Sequence, residues 1–63
     1  MHQLEIVTSF GSILSQPSAQ QKILDFLKTI PNSDEITIVT DKGETAFLTK
    51  GMIDTCVFFV KRA

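Results

Sequence analysis

The run of five apolar residues from Cys56 to Val60 constrains this 63-residue chain more than any other feature. Successive side chains of a β-strand point to opposite faces of its sheet. Val57 and Phe59 therefore face one way, and Phe58 and Val60 face the other. A sheet that covers one side of a small core needs only one apolar face. We therefore predict that Val57, Phe58, Phe59 and Val60 form an interface with another layer, a second copy or a partner.

The length of the chain indicates one small domain over residues 1–63. A single cysteine excludes an internal disulfide, and one histidine with one cysteine cannot supply the four ligands of a usual structural zinc site. We expect no metal and no cofactor. Since small domains without such cross-links often gain stability by association, a homo-oligomer is predicted, with a dimer favoured.

The charge of the chain is nearly balanced, with six Lys and Arg residues against seven Asp and Glu residues. This balance creates no bulk attraction to nucleic acid or to anionic membranes. Residues 1–3 lack the basic start of a signal peptide, and no apolar run approaches the roughly 20 residues that span a bilayer. The expected protein is cytoplasmic and does not contact a membrane.

The first third of the chain supports two interpretations. Five apolar residues are spaced so that they share one face of a helix: Ile6, Val7, Phe10, Ile13 and Leu14. This spacing favours an amphipathic helix over residues 3–15. The alternative is a strand over residues 4–10 with Leu4, Ile6 and Phe10 pointing inward, which suits the poor helix propensity of Thr8, Ser9, Gly11 and Ser12.

A helix over residues 17–30 is predicted next. Its apolar residues share one face: Ala19, Ile23, Phe26, Leu27 and Ile30. Ser18 and Gln21 have the spacing of a capping box, although Ser15 or Gln16 could cap instead, with Pro17 in the first turn. Pro31 disfavours helical geometry at the residue before it and therefore ends the helix.

Three strands are predicted to follow, over residues 35–40, 44–49 and 55–61. Asp41 to Gly43 has the composition of a tight hairpin turn, and Lys50 to Asp54 that of a looser one. Neighbouring strands joined by short loops pair antiparallel, so a meander is expected. The predicted class is α+β, with two N-terminal helices on one face of a three-stranded antiparallel sheet (ααβββ). If the first element is a strand, the order becomes βαβββ.

The sequence contains no recognisable set of catalytic residues. Cys56 falls within a predicted strand, His2 lies at the terminus, and the carboxylates gather at strand ends and turns, where charge is common. The three glycines are isolated and form no phosphate-binding loop. We therefore expect no enzymatic activity and predict a small protein–protein interaction or regulatory module that associates with itself through its sheet.

The nine residues from Ile13 to Gln21 support an alternative function. Their Ser-Gln-Pro-Ser core resembles the turn and recognition-helix start of winged helix-turn-helix repressors. This resemblance implies a DNA-binding regulator whose wing is the turn around Lys42. It also implies that five polar residues contact DNA: Gln20, Gln21 and Lys22 in the groove, with Lys28 and Lys42 at phosphates.

Overall fold

The computed structural model describes the whole chain, residues 1–63, and begins with a β-hairpin. Strand β1, His2–Thr8, pairs antiparallel with strand β2, Gly11–Leu14. The turn between them is closed by Thr8, whose Oγ1 donates to the carbonyl of Gly11 (2.7 Å) and accepts from the N–H of Phe10 (3.0 Å). Gly11 has a φ of 130°, a conformation that side chains disfavour.

The helix predicted over residues 3–15 is therefore wrong. Along β1, Leu4 and Ile6 are buried whereas Val7 is exposed, which is the alternation of a strand. The apolar spacing satisfied both periods, and the backbone followed the poor helix propensity of residues 8–12 together with the positive φ of Gly11. The alternative strand was expected to bury Phe10, but Phe10 lies in the turn and is 91% exposed.

Helix α1, Gln20–Thr29, begins three residues later than the predicted helix over 17–30. Ala19 is the N-cap residue and no side chain caps the helix, so the capping role expected of Ser18 is wrong. Ser18 instead exchanges two backbone hydrogen bonds of 2.8 Å with His2, next to β1. A short 3-10 helix, Ile30–Asn32, follows α1 and includes Pro31.

A second hairpin joins strand β3, Glu35–Val39, to strand β4, Thr45–Thr49. Its turn is held by Thr40, whose Oγ1 accepts from the N–H groups of Lys42 (3.3 Å) and Glu44 (3.1 Å). Gly43 takes a φ of 81° there. A four-residue helix α2, Lys50–Ile53, occupies the segment that was predicted to be a loose turn.

The last strand, β5, Val57–Arg62, pairs antiparallel with β1 and not with β4. The expected meander is therefore wrong, as are both predicted orders, ααβββ and βαβββ. The chain forms two separate sheets, one with the strand order β2-β1-β5 and one consisting of β3 and β4. The turn of α2 separates β4 from β5 and buries Ile53, and β5 then buries Phe58 and Val60 opposite Ile6 and Leu4.

The core lies between the inner faces of the two sheets, α1 and α2. Eight apolar residues are buried there: Leu4, Ile6, Ile23, Ile30, Ile36, Ile38, Leu48 and Ile53. An antiparallel bridge between Ser15 and Thr40 links the two sheets at one end. In this bridge the N–H of Gln16 donates to the carbonyl of Val39 (3.2 Å), and the N–H of Asp41 donates to the carbonyl of Leu14 (2.9 Å).

Ser15 supports a test of the way in which the two sheets are joined. Its Oγ accepts a 2.8 Å hydrogen bond from the N–H of Leu4, a core residue. Ser15→Ala leaves that N–H without this partner, so we expect a loss of about 1–3 kcal/mol in the free energy of unfolding. Chemical denaturation measures the loss. Ser12→Ala, at an exposed position of β2, is the control and should unfold like the wild type.

Candidate interaction surfaces

The outer face of the three-stranded sheet carries an apolar patch formed by Val7, Val57 and Phe59, here called the outer patch. Val7 and Val57 are directly opposed across β1 and β5, and Phe59 lies two residues further along β5. Val57 is 52% exposed and Phe59 is 48% exposed. Half of a phenylalanine side chain in water is on the order of 100 Å² of apolar surface. This surface is available to a partner.

The four residues of the predicted interface lie on both faces of β5. Phe58 and Val60 point inward and pack against the core, whereas Val57 and Phe59 point outward. Their alternation is the one expected from the sequence. The inner face is covered by the chain itself, and only the outer face remains uncovered.

The backbone of β5 presents an unpaired edge, because β5 pairs with β1 on one side and with no strand on the other. The N–H of Ala63 donates to the carbonyl of Met1 (3.1 Å), and hydrogen-bonded pairs alternate along an antiparallel ladder. Val57 and Phe59 are thus bonded to β1, while Phe58 and Val60 direct their N–H and C=O groups outward. Exposed strand edges of this kind are templates for pairing with another strand.

A charged pair borders the outer patch. Lys61 Nζ lies 3.8 Å from the Oε1 of Glu5, and Glu5 is directly opposite Phe59 on the neighbouring strand. The lysine side chain is half exposed, so solvent screening limits this ion pair to a contribution of about 0–1 kcal/mol. The pair keeps a carboxylate beside Phe59. A lysine substituted for Phe59 would therefore face an opposite charge within the monomer.

A second surface is the groove between α1 and β3, here called the α1–β3 groove. Its volume is about 200 Å³. Its floor is apolar, formed by Leu4, Ile23, Phe26 and Ile38, and polar groups lie around it, Lys22 among them. Ligand pockets usually enclose roughly 300–1,000 Å³, so this groove is sized for a side chain rather than for a whole metabolite.

The edge of β3 that borders this groove is only partly paired. The N–H of Thr40 donates to the carbonyl of Glu44 (2.7 Å), so Thr40 and Glu44 form a hydrogen-bonded pair. Hydrogen-bonded pairs alternate with non-hydrogen-bonded pairs along β3 and β4. Thr37 and Val39 therefore point their backbone groups away from β4. The carbonyl of Val39 accepts from Gln16, but the N–H of Val39 and both backbone groups of Thr37 have no partner within the chain.

Ser18 explains why the pairing along β3 stops. Residues 14–16 run antiparallel to the end of β3, and continuation of this ladder would place Ser18 beside Thr37. Ser18 instead exchanges both of its backbone hydrogen bonds with His2 on β1. The open edge at Thr37 therefore results from the tertiary arrangement.

The residues predicted to contact DNA are distributed over two elements. Gln20, Gln21, Lys22 and Lys28 are exposed on α1, and Lys42 is exposed in the turn between β3 and β4. The Nε2 of Gln21 donates to Asp25 (2.9 Å). The segment before α1 is strand β2, not a helix, so the helix-turn-helix geometry implied by the resemblance is wrong. DNA binding by these side chains stays a prediction.

The two residues considered for catalysis lie at opposite ends of the neighbouring strands β1 and β5. Cys56 precedes β5, is half-buried, and its Sγ lies 2.8 Å from the carbonyl of Met52. His2 begins β1 and its backbone pairs with Ser18. No group of three or more His, Cys, Asp or Glu residues is arranged to hold a metal ion.

Comparisons of the chain with protein-family models, with curated proteins and with solved structures find no match. None of the helices has the length and apolar character needed to cross a membrane. The outer patch with the edge of β5, and the α1–β3 groove, are therefore interpreted from their own chemistry.

Proposed function

We propose that this protein is a small, non-catalytic interaction or regulatory module that forms a homodimer through the edge of β5. One observation supports this proposal above all: an unpaired strand edge and half-exposed Val57 and Phe59 occur on the same strand. Backbone hydrogen bonds and apolar burial then act together, and edge-to-edge pairing of two copies joins their three-stranded sheets into one of six strands.

Antiparallel pairing suits a second copy of the same strand, because it is self-complementary about a two-fold axis. If the axis passes beside Phe59, Phe58 and Val60 of each copy exchange backbone hydrogen bonds through the groups that are free in the monomer. The two Phe59 side chains then face each other at a non-hydrogen-bonded position, where opposed side chains approach most closely. Aromatic pairs of this kind stabilise beyond the area they bury.

Charge disfavours one alternative register. An axis at Lys61 would oppose two lysines, which is destabilising across a strand pair. With the axis at Phe59, Lys61 lies opposite Val57 of the second copy and Arg62 lies opposite Cys56, so no like charges are opposed. The outer patches of the two copies become continuous across the new strand pair.

Substitution of Phe59 by lysine is the test of this dimer. Lysine lies opposite Glu5 within the monomer, so the fold should be retained, whereas two opposed lysines at the axis should separate the copies. The wild type should show twice the 7.0 kDa chain mass in equilibrium sedimentation, and Phe59→Lys should show the chain mass.

Phe47→Lys is the matched control, because Phe47 is an equally exposed phenylalanine on the outer face of the other sheet. It should retain the mass of the wild type. The proposal is wrong if the wild type has the mass of one chain up to millimolar concentration, or if Phe47→Lys dissociates the assembly while Phe59→Lys does not. Circular dichroism of each variant verifies that the fold is intact.

A further inference from the structure

We propose that the α1–β3 groove binds an extended peptide, which adds as a strand to the open edge of β3. This site is separate from the edge of β5 and does not depend on dimerisation. Three properties of the groove define its occupant: unpaired backbone groups on one wall, an apolar floor the size of one side chain, and a cation at the rim.

The backbone groups determine the conformation of the peptide. Thr37 offers an N–H and a C=O, and Val39 offers an N–H, all on the side of β3 that borders the groove. In an antiparallel or parallel ladder these groups are matched only by a chain in extended form. Strand addition to an exposed edge is a general mode of peptide recognition, in which the main chain contributes affinity and pockets select side chains.

The floor determines which side chain is selected. Leu4, Ile23 and Ile38 are buried, and the half-buried Phe26 completes the floor. The volume of about 200 Å³ accommodates one valine, leucine, isoleucine or phenylalanine side chain from a strand lying above it. Because alternate residues of a strand point to the same face, only one residue in two of the peptide needs to be apolar.

The rim determines the charge of the peptide. Lys22 lines the groove from α1 and forms no ion pair within the chain. A carboxylate on the bound peptide, either an acidic side chain or a free C-terminus, is the complementary group. The occupant is therefore an extended peptide that alternates polar and apolar residues and carries a carboxylate near the N-terminal end of α1.

The experiment uses a defined pool of hexapeptides in which threonine alternates with valine, leucine, isoleucine or phenylalanine, followed by one aspartate. Titration into the labelled 63-residue chain, followed by NMR, should show saturable shifts and slowed exchange of the Thr37 and Val39 amides. Methylation of the peptide nitrogens that face β3 should weaken binding by about tenfold or more, since it removes the main-chain donors. Amidated and free C-termini distinguish the two sources of carboxylate.

Two lysines of the same helix provide the charge test. Lys22→Glu should weaken binding of the best peptide by about fivefold or more, because a carboxylate then meets a carboxylate. Lys28→Glu, outside the residues that line the groove, is the matched control and should leave binding unchanged. The proposal is overturned if no member of the pool binds, if methylation has no effect, or if the protected amides are those of Phe58 and Val60.

Discussion

Replacing Ile6 with alanine is expected to remove a large part of the free energy of unfolding of this chain. Ile6 is the most deeply buried residue, with no exposed surface, and it occupies the central strand of the three-stranded sheet. Truncation of a buried isoleucine to alanine costs about 2–5 kcal/mol. The whole free energy of unfolding of a chain this size is about 3–9 kcal/mol. One side chain therefore accounts for a large part of it.

Urea denaturation followed by circular dichroism measures the effect. Ile6→Val removes a single methylene group and should lower the free energy of unfolding by about 0.5–1.5 kcal/mol. This variant should keep the fold and provides a smaller loss at the same position for comparison with Ile6→Ala. Val39→Ala, at an exposed position of β3, should change the free energy of unfolding by much less. If Ile6→Ala unfolds at the urea concentration of the wild type, then Ile6 does not lie in the core.

The elements whose signals are local could be predicted from the sequence. The helix over residues 17–30 has an apolar stripe, and α1 with its 3-10 extension occupies most of that range. The expectation that Pro31 excludes helical geometry at Ile30 is wrong, because Ile30 keeps helical backbone angles and the 3-10 helix includes Pro31. The strands at 35–40 and 44–49 surround a glycine turn, and β3 and β4 form that hairpin. In each case neighbouring residues determine the structure.

The first segment could not be predicted because its apolar spacing fits two periods at once. Ile6, Phe10 and Ile13 match one helical face, yet Ile6 and Ile13 are cross-strand partners in the hairpin. The turn at Ser9 and Phe10 reverses the chain between them. A reversal of this kind converts a helical spacing into a strand pair, and only Gly11 and the poor helix formers around it indicate the outcome.

The two faces of the last strand were predictable from the sequence, but which face is covered by the chain itself was not. Alternation along residues 57–60 separates two faces, and which of them meets the core depends on the partner strand. That partner is β1, at the other end of the chain, and no local pattern in β5 specifies it. The α1–β3 groove could not be predicted from the sequence either, because its open edge depends on Ser18 pairing with His2 while residues 14–16 lie beside β3.

A disulfide between residues 7 and 57 is expected to stabilise the protein strongly, and it tests the pairing of β1 with β5. Val7 and Val57 are directly opposed and both point outward. Hydrogen-bonded antiparallel partners have Cα atoms about 5.5 Å apart, within the range that disulfides span. Closing a loop of about 50 residues stabilises by about 4 kcal/mol in the chain-entropy description.

The pair Val7→Cys and Val57→Cys is introduced with Cys56→Ser, which removes the only native thiol and keeps a donor for Met52. Oxidation should be rapid and should raise the urea midpoint well above that of the reduced form. The matched control is Phe47→Cys with Val57→Cys in the same background, which would be bridged only if β5 paired with β4. Because β4 and β5 lie in different sheets, this control should stay reduced. If the control closes and the first pair does not, the chain forms the meander, and the outer patch does not exist as described.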